Sequence, residues 1–159
     1  MRDAALYREV QAEHGHTPAP RLYLMREIYV GESDARARAE AEPWMLRQWE
    51  LWNRYTQFTR GGKLPESYDF WCRQAPMLHA MEFDEILAED MVILGGPETV
   101  ANAILRLASQ LDLMGLAMIF KLGAMPYDMV ERSMTAFGDE VMPRIRDVVD
   151  RNAAAVRAA

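Results

Sequence analysis

The sequence predicts an α/β fold in which a few parallel strands alternate with helices. Two short runs, Met91–Leu94 and Leu116–Phe120, are wholly apolar, which is typical of strands buried on both faces. Longer stretches with apolar residues at three- and four-residue steps separate the runs and predict helices. Short turns of glycine and proline connect them. Alternation of this kind favours a parallel sheet built from right-handed crossovers.

The composition limits the class of protein. The 159 residues fit a single domain, 1–159, and half of them are apolar, which is enough for a hydrophobic core. A net charge of −6 without any basic run argues against nucleic acid or an anionic membrane as a partner. Cys72 is the one cysteine, and no run approaches the roughly 18 apolar residues of a membrane span. We therefore expect a cytoplasmic protein without disulfides.

The N-terminal part predicts a helix followed by a strand. Apolar residues recur at helical spacing from Asp3 to His14, and Gly15 stands where such a helix would end. The prolines within 16–20 impose an extended loop. The run Arg21–Val30 is apolar on one face and largely apolar on the other, so it predicts a strand covered from both sides.

A long helix and an inserted loop are expected next. Ser33 is suited to the N-cap of a helix that begins at Asp34, and Pro43 should kink this helix. Beyond Pro43, one side of the helix is rich in aromatic residues and needs cover. The segment 59–84 has no sustained period, although it carries several aromatic residues. It predicts a loop or lid insertion of the kind that covers binding sites.

The second half contains a strand, a turn and a helix in close succession. A short helical segment, Phe83–Glu89, precedes the apolar strand that ends at Gly95. Gly96 provides a permissive corner, and Pro97 has the backbone angle wanted at the first helical position. The helix from Pro97 is expected to reach about Leu111.

The same kind of unit follows once more. We expect Gly115 to end the connection, Leu116–Phe120 to form the strand, and Gly123 with Pro126 to begin the last helix. Pro143 should bend that helix. Only three strands are evident, and with helices on one face they would form an open arc with two bare edges. Exposed edges favour pairing with another chain.

Three of these pieces resemble a known family. The motifs are REIYVGES at 26–33, VILGGPETV at 92–100, and GAMP at 123–126 with EVMP at 140–143. In this order and spacing they resemble the C-terminal half of the bacterial luciferase-like, flavin-dependent monooxygenases. The resemblance implies a (β/α)₈ barrel that uses reduced flavin, FMN or in some branches a deazaflavin, together with O₂ on small apolar organic substrates.

The length departs from that family. Such barrels run to about 250 residues, whereas this chain contains what resemble the last three strands, β6–β8, of a partial barrel. The resemblance implies that the family's catalytic histidine and much of its contact with the flavin phosphate and ring lie in the part without a counterpart here, so no catalytic residue is assigned. The resemblance gives only the positions of residues relative to the family's pocket. By position, the cofactor-binding candidates at the rim of the pocket are Gly95, Gly96, Lys121 and Gly123.

Each candidate has a plainer alternative. The N–H groups at Gly95 and Gly96 can meet a flavin phosphate at a helix N-terminus, but Glu98 in the same turn repels an anion, which favours a purely structural turn. Lys121 can reach an anionic group, although extension into solvent is the stronger expectation. The loop residue His79 can serve as a general acid or base or be an ordinary exposed histidine.

The sequence predicts neither a metal-binding site nor a recognisable set of catalytic residues. His14 and His16 lack a further ligand at a recognised spacing. Aromatic residues of the long helix and the insertion can wall an apolar substrate cavity, pack as core, or form a docking surface. These residues are Trp44, Trp49, Trp52, Tyr55, Phe58, Tyr68, Phe70 and Trp71.

Two functional hypotheses follow. In the first, the chain is the C-terminal part of a flavin monooxygenase and is not competent without the missing N-terminal half. In the second, it is a non-catalytic α/β module that forms a homo-oligomer or pairs with a partner chain through its open edges.

Overall fold

The computed structural model describes residues 2–16, 22–55, 65–69 and 81–158. It confirms an α/β fold in which an all-parallel, three-stranded sheet is flanked by helices, as in a partial (β/α)₈ barrel. The sheet is open. The elements are α1 (Arg2–Glu13), β1 (Leu22–Val30), α2 (Asp34–Tyr55), a 3₁₀ turn (Glu66–Tyr68), α3 (Phe83–Ala88), β2 (Val92–Gly95), α4 (Pro97–Leu111), β3 (Leu113–Ile119), α5 (Tyr127–Ala136), a π-helical segment (Phe137–Val141) and α6 (Met142–Ala158).

The strand order is β2-β1-β3, with β1 in the centre. Residues Glu27–Val30 of β1 pair with β2, whereas Leu22–Glu27 pair with β3. Consecutive strands of a barrel would be neighbours in chain order. Here the connection from β2 to β3 passes over β1, so it runs in the direction opposite to the connection from β1 to β2.

Helices therefore cover both faces of the sheet, and the expectation of helices on one face is wrong. The physical reason is handedness, because right-handed crossovers that run in opposite directions lie on opposite faces. Alternate residues of β1 serve the two resulting cores. Ile28 and Val30 belong to a core with α4 and α6, and Tyr29 belongs to a core with α2, α3 and α5.

Helix α5 covers the end of β1 that extends beyond β3. The Val30 N–H donates a hydrogen bond of 2.9 Å to the hydroxyl of Ser133, whose side chain is fully buried. A buried backbone N–H without a partner is costly, and here a side chain replaces the missing strand neighbour.

The strand β3 begins earlier than predicted. Gly115 lies inside it, opposite Tyr23, rather than in the preceding connection. The ring of Tyr23 covers Gly115 so closely that a Cβ on Gly115 would lie 2.5 Å from a ring carbon. An aromatic side chain over a strand glycine compensates for the glycine's missing side chain, which the local sequence pattern did not indicate.

The C-terminal helix changes its winding before Pro143. The turn from Phe137 to Val141 is π-helical, and the chain returns to α-helix at Met142. Proline lacks an N–H and its ring crowds the carbonyl four residues earlier, and a wider turn relieves that conflict. Helix α2 also contains a proline, Pro43, and the helix continues through it without interruption.

Most of the predicted insertion, 59–84, lies outside the described residues. Its described parts are 65–69, which contain the 3₁₀ turn, and 81–84, where α3 begins. The aromatic residues Phe58, Phe70 and Trp71 and the candidate His79 also lie outside.

Candidate functional site

The turn between β2 and α4 is closed by a carboxylate from another helix. Asp34, the first residue of α2, accepts the Gly96 N–H at 2.7 Å through Oδ1 and the Thr99 hydroxyl at 3.0 Å through Oδ2. The two strand-to-helix junctions are also joined by a hydrogen bond of 3.0 Å from the Gly31 N–H to the Gly95 carbonyl. The sequence did not reveal this use of Asp34.

Close packing explains the glycines of these junctions. A Cβ on Gly95 would lie 2.7 Å from Asp34 Oδ1 and 2.8 Å from the Thr99 methyl carbon. A Cβ on Gly31 would lie 2.8 Å from the Cα of Ala37. Glycine at these positions therefore allows α2 to approach the ends of both strands.

The expectation that Lys121 extends into solvent is wrong. Its side chain is half-buried, its ammonium donates to the Met125 carbonyl, and it lies 4.7 Å from the centre of the Tyr127 ring. The Lys121 ammonium therefore stabilises the turn that precedes α5. Gly123 in this turn has φ +54°, a left-handed conformation that favours glycine, and a Cβ there would lie 3.3 Å from Gln48 Cβ.

The strand order separates the rim candidates into two groups. Gly95 and Gly96 follow β2, whereas Lys121 and Gly123 follow β3, and β1 lies between these two strands. Within the described part of the chain, the four candidates thus belong to separate junctions.

Glu27 is a partly buried carboxylate that the sequence analysis did not single out. It lies in β1, accepts a hydrogen bond from the Gln48 amide, and is also hydrogen-bonded by Trp49. Burial raises the pKa of the Glu27 carboxyl, while these two hydrogen bonds act in the opposite direction. The sequence did contain a signal for this site, because Glu27 is an acidic residue within a largely apolar strand.

A second ionisable side chain lies two residues further along β1. The Tyr29 hydroxyl donates to Glu40 at 2.7 Å, and its ring is almost fully buried. Burial raises the pKa of Tyr29, and the Glu40 carboxylate raises it further. Tyr29 is thus held as a neutral hydrogen-bond donor between the sheet and α2.

The raised pKa of Glu27 predicts a pH-dependent stability. Between the ordinary value of 4.5 and the raised value, the folded chain binds more protons than the unfolded chain, so stability falls as pH rises through this window. Glu27→Gln removes this loss and keeps one carbonyl oxygen that can accept the hydrogen bond from Gln48. We expect a gain in the free energy of unfolding at pH 8 and no gain at pH 4, because only the charged carboxylate carries the cost of burial.

Urea unfolding at the two pH values measures this effect. The exposed Glu32→Gln substitution is the matched control, because it removes the same charge from the junction that follows β1. Equal effects of the two substitutions at pH 8 would contradict a specific role for Glu27.

An apolar groove of about 340 Å³ lies beside the edge strand β3. Helices α4 and α6 and the π-helical segment form the rest of its lining. Three methionines line the groove, Met114 and Met118 from β3 and Met142 from α6. By contrast, Trp44 and Trp49 pack against the core on the α2 face, whereas Trp52 and Tyr55 are exposed. The aromatic residues of α2 are thus divided between core and surface.

The described residues contain no group of three histidine, cysteine, aspartate or glutamate side chains able to hold a metal ion. In that same part of the chain, no helix has both the length and the apolar character to cross a bilayer.

Comparison with known proteins agrees with the fold. The sequence profile of the luciferase-like monooxygenases matches residues 2–112, so the chain belongs to that family. Among solved structures, the monooxygenase RslO1 from Streptomyces bottropensis is similar, with a TM-score of 0.57 at 20% sequence identity. The match covers 89% of this chain and 36% of RslO1, so the chain spans about a third of that protein's length. None of the curated proteins compared gives a match.

Proposed function

We propose that the chain is the C-terminal part of a flavin-dependent, luciferase-like monooxygenase that acts in the cytoplasm on a small apolar organic substrate. The observation that carries the proposal is membership of the family over residues 2–112, supported by a parallel sheet flanked by helices. Reduced FMN, or a deazaflavin, would supply the chemistry with O₂ in the assembled enzyme.

The two rim turns do not fit the phosphate end of a flavin. The Gly96 N–H already binds Asp34, and Lys121 already binds the Met125 carbonyl. An added phosphate at the β2–α4 turn would also face the charges of Asp34 and Glu98. This chain is therefore proposed to supply wall and structural support, while the flavin is held mainly by residues from elsewhere in the assembled enzyme.

Flavin titration tests the proposal. The 159-residue chain, titrated anaerobically with reduced FMN and with a reduced deazaflavin, is expected to form no tight stoichiometric complex. A polypeptide carrying the complementary strands of a luciferase-like barrel should restore binding when mixed with it. Tight binding by the chain alone would contradict its proposed incompetence. Failure of the mixture to bind flavin, despite forming a complex, would contradict the monooxygenase function.

A second candidate function rests on the edge of the sheet. Strand β3 has the sequence LMGLAMI, carries no charge or proline, and lies at the edge of the described sheet beside the apolar groove. Edge strands are usually protected by such residues, so an unprotected edge favours pairing. A non-catalytic module that self-associates should form a discrete oligomer by light scattering, and Ala117→Lys on the exposed side of β3 should dissociate it.

A further inference from the structure

We propose that Asp34 is a built-in anion that occupies the N-terminus of α4 and closes this turn to phosphate. The inference concerns the chain's own junctions, and it holds whether or not the protein uses flavin. It also assigns Gly95 and Gly96 a role in admitting the Asp34 carboxylate rather than a cofactor.

The need for such an anion follows from the sequence of α4. Its N-cap is Gly96, which has no side chain to accept an N–H, and Pro97 follows at the first helical position. The fifteen-residue helix Pro97–Leu111 therefore has no capping side chain of its own at its positive end. Asp34 places a negative charge at this end of α4 and accepts the N–H of the N-cap residue, Gly96.

Asp34 is available because α2 has a different cap. The Ser33 hydroxyl accepts the Arg36 N–H at 3.2 Å, so the start of α2 does not depend on the Asp34 carboxylate. Both carboxylate oxygens are then directed across to α4, one to the Gly96 N–H and the other to the Thr99 hydroxyl. The carboxylate is thus held by one backbone N–H and one hydroxyl at the start of α4, the end of a helix that attracts anions.

The glycines are consistent with this role. Any side chain at residue 95 would begin 2.7 Å from Asp34 Oδ1, which would displace the carboxylate. Gly96 is also close to the start of α2, with a Cβ there lying 3.3 Å from Ser33 Cα. The space that glycines create at a phosphate loop is here filled by part of the chain.

Inorganic phosphate is the probe, and it keeps the test separate from flavin chemistry. Glu98 also places a negative charge in the first turn of α4, so two variants are needed. The first is Glu98→Gln alone, which keeps Asp34 in place. The second combines Asp34→Ala with Glu98→Gln and so removes both carboxylates from the turn. Melting temperatures are compared in phosphate and in chloride at the same ionic strength.

The double variant is expected to melt about 4 °C higher in ~50 mM phosphate than in chloride, as a site of millimolar affinity requires. The unaltered chain and Glu98→Gln alone should show only the smaller rise that phosphate gives to folded proteins in general. A rise in either of these as large as that of the double variant would overturn the proposal.

A measurement on the unaltered chain decides the matter even if the double variant fails to fold. The Gly96 amide should be protected from hydrogen exchange, and its NMR signal should not move on addition of ~100 mM phosphate, because Asp34 already holds it. An unprotected amide, or a saturable shift with phosphate, would overturn the proposal.

Discussion

Gly31→Ala is expected to lower the free energy of unfolding by about 3 kcal/mol, at the upper end of the range for overpacking. The added Cβ would lie 2.8 Å from both the Cα and the N of Ala37. These are backbone atoms of α2, so the conflict cannot be relieved by a change of rotamer. Relief would require α2 to move away from the end of β1, which would also strain the hydrogen bond from Gly31 to Gly95.

Gly138→Ala is the matched control. Gly138 lies in the π-helical segment, and a Cβ there would meet nothing within 4 Å. Alanine is favoured over glycine inside helices, so this substitution should be neutral or stabilising by up to about 1 kcal/mol. Urea unfolding of both variants measures the difference. If Gly31→Ala is as well tolerated as Gly138→Ala, the α2 junction is looser than the structure indicates.

The sequence predicted individual elements because their signals are local. A run that is apolar on one face and largely apolar on the other marked β1, and Pro97 marked the first residue of α4. Strand order depends on interactions between distant segments, and no local pattern states which edge of β1 a strand will occupy. The β2-β1-β3 order and the resulting helices on both faces therefore emerged only from the structure.

The candidate site shows the same limit more clearly. The glycines at 95 and 96 were correctly placed at a strand-to-helix turn, and Glu98 lies in the first turn of α4 as expected. Asp34, however, is sixty-two residues from Gly96 in sequence, so its role could not be read from spacing. The same holds for Ser133, which satisfies the Val30 N–H across a separation of 103 residues.

Phe137→Ala is expected to lower the free energy of unfolding by about 3–5 kcal/mol, as truncation of a buried phenylalanine generally does. Phe137 is 5% exposed and begins the π-helical segment, where it packs in the core with Val141 and Ile145. Its ring meets Phe120 edge-to-face, with centroids 5.4 Å apart. Truncation would leave a cavity between β3, α4 and α6, beside the apolar groove that Phe137 also lines.

Met134→Ala is the matched control, because Met134 is 53% exposed on the preceding turn and should cost less than about 0.5 kcal/mol. A double-mutant cycle with Phe120→Leu and Phe137→Leu isolates the ring contact, for which about 0.5–1.5 kcal/mol of coupling is expected. Urea unfolding of the variants supplies these values. A loss at Phe137 no greater than at Met134 would mean that the π-helical turn can repack around the cavity, so the turn would not be fixed by this side chain.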